Sequence, residues 1–205
     1  MLRSSRHRAD RPVPRTGAAP RASANLRLPR PGGAQAADTS TFDTATMDQE
    51  SGIHIRLADA GDDDFILSLV DRFVDFELPR WRRRGETAEG IRRDIARHLR
   101  EQPAGSHLFV AEDDDGERVG FLHLQLMTDF FTGAQNCHIS DLVTTPGHDG
   151  KGVGSALLAY SERFAREHHC RHVTLAVFEG NARARSLYER KGYGVELLRM
   201  AKPVK

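Results

Sequence analysis

The most informative change of pattern along the chain lies between residues 136 and 160. Residues 136–144 alternate and are rich in β-branched side chains, which predicts a strand. Pro146 and Gly147 end this pattern, and further glycines follow at positions 150, 152 and 154. From residue 155 to residue 160 the apolar positions take helical spacing. The stretch is therefore predicted to run from a strand through a glycine loop into a helix.

The same two periodicities predict the other elements of the chain. Strands are expected at residues 53–57, 108–111, 119–126, 136–144, 173–178 and 196–202. Helices are expected at residues 65–74, at 86–101, from 155 to about 169, and from the N-cap Asn181 to the stop at Gly192. The order β-α-α-β-β-β-α-β-α-β predicts an α+β fold with a mixed sheet and a single folded domain.

The predicted glycine loop has the chemistry of a phosphate cradle. Glycines leave backbone N–H groups uncovered, and the start of the following helix adds unpaired donors and a partial positive charge. The loop is not a P-loop, because Gly152 rather than Ser or Thr follows Lys151. It is not a dinucleotide fingerprint either, because Ser155 takes the third glycine position. A plain strand-to-helix turn is the structural alternative.

Composition narrows the function further. The chain has 205 residues and a formal net charge of +1, which argues against general affinity for nucleic acid or anionic membranes. Its apolar runs are too short to span a bilayer. Cys137 and Cys170 have no CxxC spacing, so they predict neither a metal site nor a disulfide framework. We therefore expect a cytoplasmic protein that binds no metal, no nucleic acid and no membrane.

The first 46 residues differ in kind from the rest. They are rich in Arg, Ala, Pro and Gly and lack apolar periodicity, which predicts a disordered extension. Their scarcity of acids is typical of a transit peptide, but they show no amphipathic stripe and contain many prolines. An extension ahead of a start at Met47 is favoured over a targeting role. The expected boundaries are residues 1–46 for the extension and 47–205 for the domain.

Two motifs carry a resemblance to a known family. The first is Pro146-x-x-x-Gly150-x-Gly152-x-Gly154 after a strand, and the second is Asn181-x-x-Ala184-x-x-Leu187-Tyr188 followed by Gly192-Tyr193. In this order and at this separation they resemble the two conserved blocks of the GCN5-related N-acetyltransferase (GNAT) family. The resemblance covers about residues 53–202. It implies an acyl-CoA N-acyltransferase-like fold, with a mixed, mostly antiparallel central sheet flanked by helices.

The resemblance also implies the ligands and the residues that hold them. The co-substrate would be acetyl-CoA, and the acceptor would be a primary amine of a small molecule or a protein. The strand before the glycine loop would splay from its neighbour and leave a gap for the pantetheine arm. The residues implied are Leu142, Val143 and Thr144 for the pantetheine arm and acetyl group, Asp149, Gly150, Lys151, Gly152, Val153, Gly154 and Ser155 around the pyrophosphate, and Asn181 on the far side of the pantetheine.

Direct transfer to an amine needs a base for the amine, donors for the oxyanion and an acid for the departing thiolate. A backbone N–H at Val143 or Thr144 would serve the oxyanion. Tyr188 lies where the family places the acid, and a core tyrosine is the alternative. The base candidate is Asp141, because Ser140 replaces the glutamate that many members carry. On a regular strand, Ser140 and Asp141 are expected on opposite faces.

Asp149 and His123 leave alternatives open. Asp149 stands where the family usually carries Arg or Gln, and a carboxylate there would repel a pyrophosphate unless His148 and Lys151 offset it. Either the loop still binds through its backbone amides, or the chain is a non-catalytic acyl-CoA-binding or protein-interaction module with the same fold. His123 is expected either in the core or facing the acceptor pocket. Formation of a homodimer is also left open.

Overall fold

Five of the six predicted strands are present among residues 52–204, the part of the chain that the computed structural model describes. The prediction for residues 1–46 lies outside the described residues. The strands are β1 (Ile53–Leu57), β2 (Ser106–Asp113), β3 (Arg118–Thr128), β4 (Gln135–Thr144) and β5 (Val173–Leu175). They form one sheet in the order β1-β2-β3-β4-β5. All neighbours are antiparallel except β4 and β5, so the predicted mixed, mostly antiparallel sheet is confirmed.

The helices follow the predicted order, with one division. They are α1 (Asp63–Ser68), α2 (Arg84–Glu101), α3 (Val153–Glu167) and α4 (Ala182–Arg190). The helix predicted at residues 65–74 ends as an α-helix at Ser68 and continues as a 3₁₀ turn at Val70–Val74. The Ser68 hydroxyl donates to the carbonyl of Phe65 at 2.6 Å, a local bond that competes with regular helix geometry. No helix of residues 52–204 is both long and apolar enough to cross a membrane.

The sheet separates two apolar clusters. One face packs against α3, and the other packs against α1, α2 and the turn Val70–Val74. Strand β3 is buried on both sides, because Phe121 enters the second cluster while Leu122 and Leu124 enter the first. A strand covered on both faces reads as a nearly continuous apolar run rather than a clean alternation.

The acidic segment before α1 contains a capped 3₁₀ turn and a partly buried ion pair. Asp59 and Asp62 form a capping box around the 3₁₀ turn Ala60–Asp62. The carboxylate of Asp62 also accepts from Arg56 at 2.7 and 3.0 Å and lies 3.4 Å from Arg118. Chiefly through the Arg56 bonds, this arrangement lowers the pKa of Asp62 to about 2.

The predicted last strand, at residues 196–202, is wrong. This segment has no regular structure, and Leu197, Leu198 and Met200 are exposed. A strand is held only through ladder hydrogen bonds to a neighbour. Strand β5 is three residues long, and none of the described strands pairs with its outer edge. The apolar character of the segment therefore does not produce a strand here.

Candidate active site

Strands β4 and β5 pair over only three positions. Cys137 pairs with Val173, and the last pair is Ile139 with Leu175. Strand β4 continues to Thr144, so residues 140–144 have no strand partner on the β5 side among residues 52–204. The two strands thus separate toward the glycine loop. We call this gap the opening, and it lies where the resemblance implied a space for the pantetheine arm.

A bulge in β4 lies beside the opening. His123 of β3 pairs with Asp141, whereas the next residue, Leu124, pairs with Ile139. Ser140 is therefore an extra residue in β4, opposite no residue of its own in β3. Such a bulge bends the strand and changes the alternation of its side chains.

The bulge places Ser140 and Asp141 on the same face of the sheet. Ser140 Oγ accepts from Gln125 Nε2 at 2.8 Å, and Asp141 Oδ2 lies 2.8 Å from Nδ1 of His123. His123 and Gln125 are two positions apart on β3 and so share a face, the one that α2 covers. The expectation that Ser140 and Asp141 lie on opposite faces is wrong, because the period of two fails across an inserted residue.

The glycine loop has the geometry of an anion cradle. Gly150 and Gly152 adopt φ values of 78° and 90°, which other residues rarely take. A Cβ on either glycine would meet no atom of the described residues within 4 Å, so the backbone has open space beside it. Helix α3 has no side-chain cap, and Ala156 supplies its first paired N–H, to the Gly152 carbonyl at 2.9 Å. The N–H groups of residues 153–155 have no described protein acceptor, which fits a pyrophosphate.

Asp149 is bound by three partners. Its carboxylate accepts from Nη2 of Arg72 at 2.8 Å and from Nη1 of Arg183 at 2.5 Å. The Thr144 hydroxyl donates to it at 2.8 Å. Hydrogen bonds from Arg183 first, and then from Arg72 and Thr144, hold the pKa of Asp149 far below its usual range. We call these four residues the Asp149 clamp; it joins the turn Val70–Val74, the end of β4, the glycine loop and α4.

The clamp changes the expected electrostatics of the loop. Two guanidinium groups face one carboxylate, so the clamp carries a surplus of positive charge. The sequence suggests that His148 offsets the negative charge of Asp149. The two arginines do so instead, and His148 bonds to Thr145 through Nδ1 at 2.9 Å. Lys151 is exposed on the loop. The presence of Asp149 is therefore compatible with an anionic ligand in the cradle.

Asp141 lies at the rim of the opening with one oxygen occupied. His123 is fully buried, and its two nitrogens contact Asp141 and Ser106, at 2.8 and 2.9 Å. The Asp141 side chain is 12% exposed, and its Oδ1 has no hydrogen-bond partner among the described residues. Of the two positions expected for His123, the structure shows the one in the core, with one ring nitrogen against the Asp141 carboxylate.

Tyr188 and Asn181 occupy α4 on the other side of the sheet. Asn181 caps the helix as predicted, accepting from the N–H of Ala184 at 3.1 Å. Tyr188 packs against the cluster under α3, and its ring centre lies 5.8 Å from that of Tyr193. Burial raises the pKa of Tyr188, whose hydroxyl is in any case protonated at neutral pH. Tyr188 and Asp141 consequently approach the sheet from opposite faces.

The remaining predicted residues line the edge of β4. Val143 is buried in the cluster under α2, and Leu142 packs toward α3. Their backbone groups are thus the parts that a ligand in the opening can reach.

Sequence reasoning missed Arg72 and Arg183, although Arg183 lies inside the second motif. Arg72 gave no signal, because it stands 77 positions before Asp149.

Comparison with known proteins agrees with this geometry. The profile of the acetyltransferase (GNAT) family matches residues 69–193, a range that contains the opening, the glycine loop and α4. The chain belongs to the GNAT family. The resemblance inferred from the two motifs is thereby confirmed, as is the fold that it implied.

Two curated relatives match shorter stretches. Streptothricin acetyltransferase from Streptomyces lavendulae is 36% identical over 92 residues, which are 45% of this chain and 47% of the relative. The uncharacterized N-acetyltransferase YhfO from Bacillus subtilis (strain 168) is 32% identical over 88 residues, which are 43% of this chain and 58% of the relative. The chain thus spans about half the length of the curated relatives it matches.

Solved structures share the fold over most of the domain. A candidate acetyl transferase from Pyrococcus furiosus superposes with a TM-score of 0.59 at 25% identity, covering 74% of this chain and 99% of that one. The ribosomal-protein-alanine N-acetyltransferase of Brucella melitensis biovar Abortus 2308 has a TM-score of 0.55 at 20% identity, with 74% and 99% covered. The second likeness concerns the fold alone.

Proposed function

We propose that the chain is an N-acetyltransferase that transfers the acetyl group of acetyl-CoA directly to a primary amine of a small molecule or a protein. The observation that carries this proposal is the arrangement around the opening. An uncovered N–H cradle lies at the end of β4, and the half-occupied carboxylate of Asp141 lies at the rim. The first feature suits an anionic co-substrate, and the second suits a cationic acceptor.

The chain offers groups for each part of the reaction. Bound acetyl-CoA would supply the acetyl group as an activated thioester. Asp141 would accept a proton from the acceptor ammonium through Oδ1, so that the neutral amine can attack. A backbone N–H of Val143 or Thr144 would donate to the carbonyl oxygen as negative charge develops there. Tyr188 would donate its hydroxyl proton to the departing thiolate, and the second proton that the nitrogen loses as the amide forms would restore the tyrosine.

The cofactor-binding residues keep the roles that the resemblance implied. Backbone N–H groups of residues 150–155 would hold the pyrophosphate, and residues 142–144 would hold the pantetheine arm along the unpaired edge of β4. Asp149 would act on the co-substrate indirectly, because its carboxylate holds Arg72 and Arg183 beside the loop. We place the reaction in the cytoplasm, which suits the two free cysteines, Cys137 and Cys170.

The alternative is a non-catalytic acyl-CoA-binding or protein-interaction module. Its main support was the charge of Asp149, which was expected to repel the pyrophosphate. Because two arginines bind that carboxylate, its repulsion of a pyrophosphate is weakened. The replacement of a glutamate by Ser140 is also a weaker argument for the non-catalytic module, since the bulge brings Asp141 to the same face as Ser140.

The proposal is tested by combining acetyl-CoA binding with transfer. Calorimetry on the full-length protein should show acetyl-CoA binding, and thiol release in the presence of an amine panel should identify acceptors. The panel should include polyamines, amino sugars and peptides with free N-termini. Binding without release for any amine would favour the non-catalytic module. Absence of binding would contradict both the enzyme and the acyl-CoA-binding module, and would leave only the protein-interaction module.

Tyr188→Phe tests the acid separately. We expect kcat on an identified acceptor to fall about a hundredfold, the usual size of a general-acid contribution, with acetyl-CoA binding unchanged. Tyr193→Phe is the matched control, because this neighbouring tyrosine has no proposed role in transfer. Equal activity of Tyr188→Phe and the native protein would remove Tyr188 from the mechanism.

A further inference from the structure

A row of polar side chains, two of them buried histidines, leads from the rim of the opening to the exposed surface of α2. Ser106 Oγ lies 2.9 Å from Nε2 of His123 and 2.8 Å from Nδ1 of His98. At one end of the row, Nδ1 of His123 lies 2.8 Å from Oδ2 of Asp141. At the other end, Nη2 of Arg97 lies 3.1 Å from Nε2 of His98. We call these five residues the polar row.

The hydrogen-bond directions in the polar row are inferred from one contact, that of the half-exposed Arg97 with Nε2 of His98, a nitrogen that lies 4.0 Å from Asp94 Oδ2. A guanidinium has no acceptor, so Arg97 must donate to Nε2 of His98. His98 then carries its proton on Nδ1 and donates it to Ser106. The Ser106 hydroxyl has only the two histidines as hydrogen-bond partners in the described structure, so its own proton goes to Nε2 of His123. His123 therefore carries its proton on Nδ1 and donates it to Asp141.

Because His98 and His123 are buried, their ring nitrogens need hydrogen-bond partners within the protein. His98 and His123 are 4% and 0% exposed, and a buried polar group without a partner is costly. Burial is the largest cause that lowers the pKa of His98, which favours the neutral ring that the direction requires. Other charged or titratable groups facing the row are Asp94 on α2, which binds Arg97, and His138 on β4.

We propose that His123, Ser106 and His98 are positioning residues for the acceptor end of the site. The donors that begin at Arg97 end on Oδ2 of Asp141, so they fix the orientation of this carboxylate and leave only Oδ1 for the acceptor amine. This inference rests on the proposed role of Asp141 in acetyl transfer. A merely structural network would stabilise the fold without setting the direction of its protons, so the test must observe that direction.

The protonation of the two rings can be observed directly in the full-length protein. Nitrogen NMR of protein labelled at the histidine rings, at pH 7.5, distinguishes the two neutral tautomers and the imidazolium. We expect both His98 and His123 to be neutral with the proton on Nδ1. Signals are assigned by loss in His98→Gln and His123→Asn. A charged His123 ring, or a proton on Nε2 of either ring, would overturn the inference.

Breaking the row in the middle tests its effect on the reaction. Ser106→Ala should let His123 exchange between tautomers and lower kcat about tenfold, as expected for one lost hydrogen bond, with the KM for acetyl-CoA unchanged. Ser106→Thr keeps the hydroxyl and should restore most of kcat. Ser68→Ala, at an exposed serine of α1, is the control. An unchanged kcat in Ser106→Ala, despite altered tautomers, would refute the positioning role.

These outcomes separate the two proposals. If the protein neither binds acetyl-CoA nor acetylates an amine, the proposed function fails, whatever the ring spectra show. If the protein is active and the native rings carry their protons elsewhere, only the positioning inference fails. Thermal melting of each variant shows whether a loss of activity reflects unfolding, and the spectra of the native protein need no variant to be decisive.

Discussion

Asp141 and Asp149 lie at the same end of β4 and are held in opposite ways. Asp149 is bound on several sides, by two guanidinium groups and a hydroxyl. Asp141 has one partner, a buried imidazole, and keeps one oxygen free. Two carboxylates of the same covalent structure are thus given different surroundings by the fold.

The two carboxylates differ in how fully their partners occupy them. A guanidinium does not release its proton in a protein. The Asp149 carboxylate is therefore held in ion pairs and a hydrogen bond that link the glycine loop to three other elements. The imidazole of His123 contacts one oxygen of Asp141 and leaves the other oxygen to offer a ligand. We therefore propose a structural role for Asp149 and a chemical role for Asp141.

The largest expected effect concerns catalysis. Asp141→Asn removes the proposed base and should lower kcat by about 10² to 10⁴, the range of general-base contributions. Asp149→Asn keeps the acceptor for the Thr144 hydroxyl and should change kcat by less than about tenfold. Thiol release at saturating acetyl-CoA measures both variants on one acceptor. Losses of equal size would erase the distinction between the two carboxylates.

The next effect concerns stability. Asp149→Ala leaves Arg72 and Arg183 without their shared partner, so the free energy of unfolding should fall by about 1–3 kcal/mol. Urea unfolding followed by circular dichroism measures the change. Asp115→Ala, at an exposed position in the turn between β2 and β3, should leave stability nearly unchanged. A clamp that is only a surface contact would give both variants the same stability.

A smaller effect distinguishes the two arginines of the clamp. The side chain of Arg72 is 25% exposed and that of Arg183 is 61% exposed. Solvent screens the more exposed pair, so a double-mutant cycle should give Asp149 a coupling energy of about 1–2 kcal/mol with Arg72 and below about 1 kcal/mol with Arg183. The reverse order would mean that burial does not govern the strength of the clamp.

The smallest effect is the pH dependence of the clamp. A carboxyl whose pKa is lower in the folded than in the unfolded protein adds stability above its unfolded value of about 4, and this is lost as the pH falls toward the folded value. The pKa of Asp149 is lowered in this way. The stability lost in Asp149→Asn should therefore be largest at neutral pH and shrink in acid. Urea unfolding of both proteins at pH 7 and pH 3 measures this, and a cost independent of pH would contradict it.

Local features of the site could be predicted from the sequence because their physics is local. Gly150 and Gly152 adopt the positive φ angles that a glycine loop implies, and Asn181 caps α4 with its own side chain. The bulge at Ser140 could not be predicted, because it depends on the register with β3. The strand expected at residues 196–202 failed for a related reason: its formation depends on a neighbour.

The sequence by itself determined the strand, glycine loop and helix, the second motif, and hence the family. These features depend on backbone conformation and on spacing within a few residues. Only the tertiary structure decided that Asp149 meets Arg72, 77 positions earlier, and that Asp141 meets His123, 18 positions earlier. The charge of a carboxylate is tuned by groups a few ångströms away in space, and register and packing bring those groups together.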